Sequence, residues 1–184
     1  HKERGTKMKK LTMLFAAAVL TIAMSSVASA QATANGTLAV TATVNGSITL
    51  VFNSDASGVP LTGANTNTAA LAFGNVSAFG TSPAGVTTTT GASNFTVSTP
   101  VDVLVNKFNS ASANYTLKAQ LASADAANAW SVAGTTVTSA AQATITATGA
   151  YGANAPETIA ITVPFTTTSG TNISNTINFQ ATAN

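Results

Sequence analysis

The sequence predicts an all-β protein, an antiparallel β-sandwich of about 8–10 short strands. Apolar and polar residues alternate in short stretches along the chain after residue 36, and a period of two is typical of a strand with one buried face. Glycine, asparagine and serine separate these stretches, as expected for turns. Cysteine is absent, so such a fold would depend on sheet hydrogen bonds and an apolar core, or on neighbouring subunits.

Residues 1–30 are predicted to be a signal peptide, a short apolar helix with residues 1–7 as a preceding extension. Residues 8–10 form a basic start, residues 11–24 are mostly apolar, and residues 28–30 have the small-x-small pattern that signal peptidase requires. The apolar run is shorter than the ~20 residues of a membrane-spanning helix. We expect cleavage after this segment, and an uncleaved anchor is the alternative.

Cleavage after Ala30 would leave residues 31–184 as a single β-sandwich domain, exported through the periplasm to the cell surface or beyond, with no membrane attachment. This part of the chain has two lysines, Lys107 and Lys118, and four acids, so its net charge is −2. It has no cluster of lysine or arginine with which to neutralise phosphates, which argues against a nucleic-acid partner.

The first predicted strand covers residues 37–44. Its apolar face consists of Leu38, Val40, Ala42 and Val44. The pair Asn45-Gly46 follows and predicts a tight hairpin into a second strand at residues 47–52. The strand at 37–44 could pair within its own molecule or with another copy, and the Asn-Gly pair favours pairing within its own molecule.

The rest of the chain continues the pattern. Further strands are predicted at residues 69–73, 94–98, 101–108, 115–121, 130–137, 143–148, 158–165 and 176–182, with short edge segments at 59–61 and 87–90. Pro100 removes a ladder donor, which predicts a bend or a strand that changes sheets. A turn at residues 133–134 is expected to interrupt the strand at 130–137. Residues 122–129 are the one stretch with helical propensity, about two turns at most.

Residues 31–184 contain neither histidine nor cysteine. This composition excludes a Ser-His-Asp triad, a thiol nucleophile and an imidazole zinc site in that region. Paired carboxylates could still hydrolyse a glycosidic bond or bind calcium. The four acids are far apart in sequence, however, and we expect them to be solvated charges on the surface. The acids are Asp55, Asp102, Asp125 and Glu157. We therefore predict a protein that is not an enzyme and has no cofactor and no metal site.

Three aromatic residues remain ambiguous at this level. Trp130, Tyr115 and Tyr151 could line a sugar-binding face or pack in the core. Because aromatic residues make up only 6% of the chain, core packing is the favoured interpretation.

Four sequence runs carry a resemblance to a known family. They are LAVTATVNGSITLVF (38–52), LAFGNVSAFG (71–80), YTLKAQL (115–121) and GAYGANAPETIAITVPF (149–165). Together they resemble secreted bacterial β-sandwich proteins of the spore-coat-protein-U and fimbrial-subunit type. The resemblance implies an Ig-like, pilin-like sandwich, export with the help of a periplasmic chaperone and usher, and copies that assemble into coats, fibres or pili.

Such assembly works by strand exchange, in which one chain supplies a strand to an open edge of another. The predicted assembly residues at the amino-terminal end are Leu38, Val40, Ala42 and Val44, and those at the carboxyl-terminal end are Gly170, Ile177, Phe179 and Ala181. Gly170 lies fourteen residues before Asn184, and the other three alternate in the last predicted strand. The function predicted first is therefore an exported structural or adhesive subunit. The alternative is a self-contained extracellular or periplasmic binding module for glycan or protein.

Overall fold

Nine β-strands form two antiparallel sheets in the computed structural model, which describes residues 35–184. The strands are β1 Ser47–Ser54, β2 Thr87–Thr90, β3 Asn94–Phe108, β4 Tyr115–Leu121, β5 Ala129–Val132, β6 Thr135–Val137, β7 Ala143–Gly149, β8 Asn154–Pro164 and β9 Ile177–Ala183. The larger sheet has the order β1-β3-β8-β5-β6, with β2 also paired with β3, and the smaller sheet has the order β7-β4-β9. The all-β prediction is confirmed, and two antiparallel sheets are consistent with a β-sandwich.

The chain divides into two units, residues 1–42 and 43–184, and all nine strands belong to the second. The predicted signal peptide at residues 1–30 lies outside the described residues. In the part of the chain that the structure describes, no helix is long and apolar enough to cross a membrane.

The core lies between the two sheets, and strand β4 shows how the sequence builds it. Every second side chain of β4 is buried, from Tyr115 to Leu121, while Lys118 between them is not. Leu117 is completely buried. Two apolar clusters fill the core, and each combines residues of both sheets. The larger cluster includes Val97 and Val163 of the larger sheet and Ala119 and Leu121 of β4. The smaller cluster includes Val103 and Val105 of the larger sheet and Leu117 of β4. Alternation of apolar and polar residues therefore corresponds to alternation between core and solvent.

Strand β3 continues through Pro100 within the larger sheet, so residues 94–98 and 101–108 form one strand and the predicted change of sheet is wrong. Pro100 is opposite Thr158 of β8, in an unbroken register. On the other side of β3, β1 ends at Val101 and β2 pairs only up to Ser98. Pro100 thus lies in the gap between β1 and β2, which pair with the same edge of β3. Neither strand needs a backbone N–H donor at this position, so proline is tolerated there.

Residues 35–46 form no strand, which contradicts the strand predicted at residues 37–44 and the hairpin at residues 45–46. Gly46 instead fits closely beside the chain that follows β3. A Cβ atom on Gly46 would lie 2.9 Å from the carbonyl oxygen of Asn109. Close approach of two backbone segments requires glycine there, and this contact, rather than a turn, accounts for the glycine.

Three other predicted elements differ from the structure. Residues 122–129 contain no helix, and residues 59–61 and 69–73 form no strand. In the last of these segments only Ala70 takes part in a bridge, with Thr62. Its apolar side chains still pack on the core, because Leu71 and Phe73 are half-buried against the larger cluster.

The hairpin from β5 to β6 is confirmed. Ala133 and Gly134 both have positive φ, 48° and 77°, and they connect Val132 directly to its partner Thr135. Positive φ at both central residues is the geometry of the tight turn that matches the twist of adjacent strands.

Candidate assembly edge

Strand β9 forms one edge of the smaller sheet. Among residues 35–184 it pairs with β4 alone, and the register is continuous from Tyr115 opposite Ala183 to Leu121 opposite Ile177. Seven residues in extended conformation span ~23 Å. One side of this strand therefore offers a long, regular row of backbone groups to which another strand could bond.

Hydrogen bonds at both ends of β9 show which backbone groups point outward. Asn184 N–H donates to the carbonyl oxygen of Asn114 at 3.0 Å, and Ala122 N–H donates to the carbonyl oxygen of Thr176 at 2.8 Å. Both pairs continue the β9–β4 register. In an antiparallel pair, alternate residues bond to the neighbour and the residues between them point away. The even-numbered residues of β9 therefore bond to β4, and the outward set consists of Ile177, Phe179, Ala181 and Ala183.

Three side chains of the outward set, all except that of Ala183, face the apolar interior. Ile177, Phe179 and Ala181 are half-buried and pack against the core clusters, while Asn178 and Gln180 between them are exposed. The predicted assembly residues of the last strand therefore lie together on one element. The same residues carry both the free backbone groups and the partly covered apolar surface.

The neighbouring edge, on β1, extends this partly covered interior. Phe52 of β1 meets Phe179 of β9 edge to face, with ring centroids 5.3 Å apart and planes at 65°. Ile48 and Leu50 of β1 are also half-buried against the smaller cluster. The side of the sandwich between β1 and β9 thus carries apolar side chains from both sheets that are not completely covered by residues 35–184.

Other edges of the sheets are shorter or irregular. The outer side of β1 is occupied at Phe52, which donates to the carbonyl oxygen of Thr66 at 2.8 Å and accepts from Asn65 N–H at 2.7 Å. The register of β7 against β4 shifts on each side of Leu117, and such bulges hinder the addition of a further strand. Strand β6 has only three residues. Strand β9 is therefore the best candidate for strand addition.

The remaining predicted assembly residues lie outside the strands. Leu38, Val40 and Val44 are 87%, 81% and 72% exposed, and Ala42 is exposed as well. Gly170 is an exposed turn residue with φ of 87°, and a Cβ atom there would meet nothing within 4 Å. Gly170 therefore adds no contact to the edge, whereas the four residues at 38–44 present apolar surface to solvent.

The four acids do not form one site. Asp55 caps a turn by accepting hydrogen bonds from the Ser57 hydroxyl at 2.6 Å and the Ser57 N–H at 2.7 Å, and these bonds lower the pKa of Asp55. Asp102 accepts a hydrogen bond from Asn154 Nδ2 at 3.1 Å. Desolvation raises the pKa of Asp102, with a smaller contribution from the charge of Asp55.

Among residues 35–184, Glu157 is the one acid in the core. It lies on the inner face of β8, is only 5% exposed, and accepts a hydrogen bond from the Thr146 hydroxyl of β7 at 3.2 Å. Burial raises the pKa of Glu157, although the bond from Thr146 opposes this shift. Burial also raises the pKa of nearby Tyr115, and the charge of Glu157 adds to that shift. Glu157 is therefore a polar link between the two sheets.

Asp125 organises the loop between β4 and β5. Its carboxylate accepts hydrogen bonds from Trp130 Nε1 at 2.8 Å, from Asn128 N–H at 3.0 Å and from Ala127 N–H at 3.1 Å. Desolvation raises the pKa of Asp125, but the hydrogen bonds from Trp130, Asn128 and Ala127 together outweigh it, so the pKa is lowered. These local bonds explain why residues 122–128 form a bent loop before β5 instead of the predicted helix.

The aromatic residues divide into a buried and an exposed group. Trp130 and Tyr115 are core residues, and the Tyr115 ring packs against that of Tyr151 at 5.4 Å. They form no open sugar-binding face. The exposed aromatic surface lies elsewhere, where Phe165 is stacked between Phe79 and Phe95 with centroid distances of 6.1 and 6.4 Å. The three phenylalanines are far apart in sequence, so the sequence gave no signal that they would meet.

Comparisons of the chain with protein-family models, with curated proteins and with solved structures give no match.

Proposed function

We propose that this chain is an exported, non-enzymatic structural or adhesive subunit of Ig-like, pilin-like fold whose copies assemble by β-strand exchange. The observation that carries the proposal is the apolar, alternating segment at residues 37–44, which is exposed and in no strand. In this proposal the segment of one copy pairs with β9 of another. The final location is the cell surface or the extracellular medium, after export directed by a cleaved signal peptide.

The exposed segment has the properties of a donor strand. Its four apolar residues recur at every second position, so all of them lie on one face when the segment is extended. Exposing Leu38, Val40 and Val44 to water is unfavourable, since full burial of such a side chain contributes about 1.5–3 kcal/mol. A monomer that leaves these residues exposed gains stability by burying them in a partner.

Strand β9 has the properties of an acceptor. The donor segment spans ~26 Å when extended and β9 spans ~23 Å, so the two lengths match. Each outward residue of β9 provides one N–H and one C=O group, and each hydrogen bond formed contributes about 0.5–1.5 kcal/mol net. A donor paired there also places its apolar face towards the half-buried side chains of β1 and β9. Before assembly, a periplasmic chaperone would cover the same edge.

A matched pair of variants tests the proposal. Val40→Asp puts a charge on the apolar face of the donor segment, and Thr41→Asp puts the same charge on its other face. We expect Val40→Asp to abolish assembly of the mature chain in light scattering and Thr41→Asp to retain it. Equal assembly of the two variants, or a wild-type chain that stays monomeric at high concentration, would overturn the proposal.

A second candidate function, a binding module for glycan or protein, is favoured by one observation. Phe79 is 76% exposed and belongs to the aromatic stack with Phe165 and Phe95. Aromatic rings exposed in a group offer flat apolar surface to a sugar ring or a protein side chain. A glycan array with the mature chain tests this function, and Phe79→Ala should remove binding. Phe108→Ala, at an exposed phenylalanine outside the stack, is the control.

A further inference from the structure

The pair Asn45-Gly46 has a chemical property that the strand-exchange proposal does not use. Asn45 is exposed and lies in no strand, two residues before the start of β1. Four covalent bonds separate Cγ of its side-chain amide from the backbone nitrogen of Gly46. A bond between these two atoms would therefore close a five-membered ring. Because glycine has no side chain, it neither shields this nitrogen nor restricts the backbone rotation that brings it near the amide.

These features allow deamidation without any added reagent. The backbone nitrogen of Gly46 attacks Cγ of Asn45, the bond from Cγ to Nδ2 breaks, and ammonia leaves with the proton that the backbone nitrogen gives up. Water then opens the succinimide ring at either carbonyl group. The products are aspartate and isoaspartate, and neither step requires an oxidant, a reductant or a cofactor.

Strand structure withholds this reaction from Asn53, whereas the pair Asn35-Gly36 is exposed and in no strand like Asn45-Gly46. Asn53 is followed by the small residue Ser54, but both are paired with β3, and the Asn53 amide donates to Asn154 Oδ1 at 2.9 Å. The ladder fixes the backbone nitrogen and the side-chain bond fixes the amide, so the two groups cannot meet. Asn45 is not part of a strand, so no ladder restrains it, and it is exposed to the water that completes the reaction.

We propose that Asn45 is a site of spontaneous deamidation in the free subunit and that strand exchange protects it. The second half of this inference rests on the proposed function, because a donor segment paired up to Val44 restricts the backbone rotation of Asn45, the next residue. Deamidation adds a negative charge to residues 35–46, which carry none. The isoaspartate product also adds one methylene group to the main chain at position 45, two residues before β1. Subunits that fail to assemble thus acquire a chemical mark at position 45 that assembled subunits lack.

Peptide mapping by mass spectrometry tests the site. The mature chain is kept at low concentration as a monomer in mildly alkaline buffer, and the fractions of aspartate and isoaspartate at position 45 are followed over time. We expect conversion at Asn45, no conversion at Asn53, and loss of the position-45 signal in Asn45→Gln, whose longer side chain disfavours the ring. Gly46→Ala is not a clean control, since its Cβ atom would meet the Asn109 carbonyl at 2.9 Å.

A synthetic peptide of residues 41–50 is the positive control for the chemistry. If the peptide converts and Asn45 in the chain does not, the site is overturned. The coupling is tested by incubating assembled and monomeric fractions side by side, with Asn45 retained only in the assembled fraction as the expected result. Equal conversion in the two fractions overturns the coupling and leaves the site standing. A chain that never assembles overturns the coupling together with the proposed function.

Discussion

Proline substitutions at adjacent positions of β9 test which backbone groups are free. In Ala181→Pro the lost N–H points away from β4, so no hydrogen bond within the described fold is removed. In Gln180→Pro the lost N–H is the one directed at Lys118 of β4, its register partner. Proline is tolerated where its missing donor faces solvent on an edge strand, and it is not tolerated where a ladder bond is needed.

The expected difference between these variants follows from one hydrogen bond. Leaving the Lys118 carbonyl without its partner costs about 1–3 kcal/mol, whereas the strain of the proline ring is common to both variants. A domain of this size shifts in melting temperature by about 2–4 °C per kcal/mol. Denaturant unfolding, read from the fluorescence of Trp130, the one tryptophan of the chain, measures the difference. The same preparations are then compared for assembly, which Ala181→Pro should reduce although its fold is retained.

Equal destabilisation by Ala181→Pro and Gln180→Pro would refute the assignment of inward and outward groups on β9. A larger loss of stability in Ala181→Pro would refute it more strongly. Either result would mean that the outer side of β9 is already bonded in the monomer, and the edge would then no longer be an acceptor.

Three further predictions concern the core and its acids. Leu117→Ala should lower the free energy of unfolding by about 2–5 kcal/mol, because Leu117 is completely buried, and a denaturation midpoint near that of wild type would contradict its place in the core. Glu157 has a raised pKa in the fold, so the stability of the wild-type chain should fall as pH rises from the ordinary glutamate pKa to the raised one. The stability of Glu157→Gln should not fall over this pH range, and a pH profile identical to that of wild type would contradict the prediction. Asp125→Ala should cost about 1–3 kcal/mol by leaving Trp130 Nε1 without its acceptor. Because the pKa of Asp125 is lowered, its contribution should be present at neutral pH and lost in acid; equal losses at both pH values would contradict this.

The strands that the sequence predicted best are those with strict alternation and a local turn signal. Residues 115–121 were predicted with the bounds that β4 has, and residues 143–148 match β7 to within one residue. The turn at residues 133–134 was predicted because glycine tolerates positive φ there. In these places the local pattern and the buried face agree, so tertiary contacts only reinforce what the residues prefer.

The predictions failed where contacts distant in sequence decide the structure. Residues 37–44 have a strong strand pattern, but a strand forms only where a neighbour supplies backbone partners, and no periodicity shows whether one exists. Pro100 is accepted in β3 because two separate strands leave a gap there, which only the topology reveals. The helix predicted at residues 122–129 failed for a local reason instead, because the Asp125 carboxylate accepts hydrogen bonds from N–H groups of its own loop.

The candidate edge was partly predictable. Alternation placed Ile177, Phe179 and Ala181 on one face of the last strand, and the structure confirms that they share β9. The sequence could not indicate that their backbone groups point away from β4, because that depends on which residues of β4 lie opposite. Gly170 was chosen by its spacing from Asn184, and the structure gives it no part in the edge.

Amide hydrogen exchange along β9 tests the central claim most directly. The amides of Ile177, Phe179, Ala181 and Ala183 should exchange quickly in the monomer and become protected in assembled protein, while the even-numbered amides that bond to β4 should be protected in both states. Odd-numbered amides that stay unprotected after assembly, or that are already protected in the monomer, would contradict strand addition at this edge.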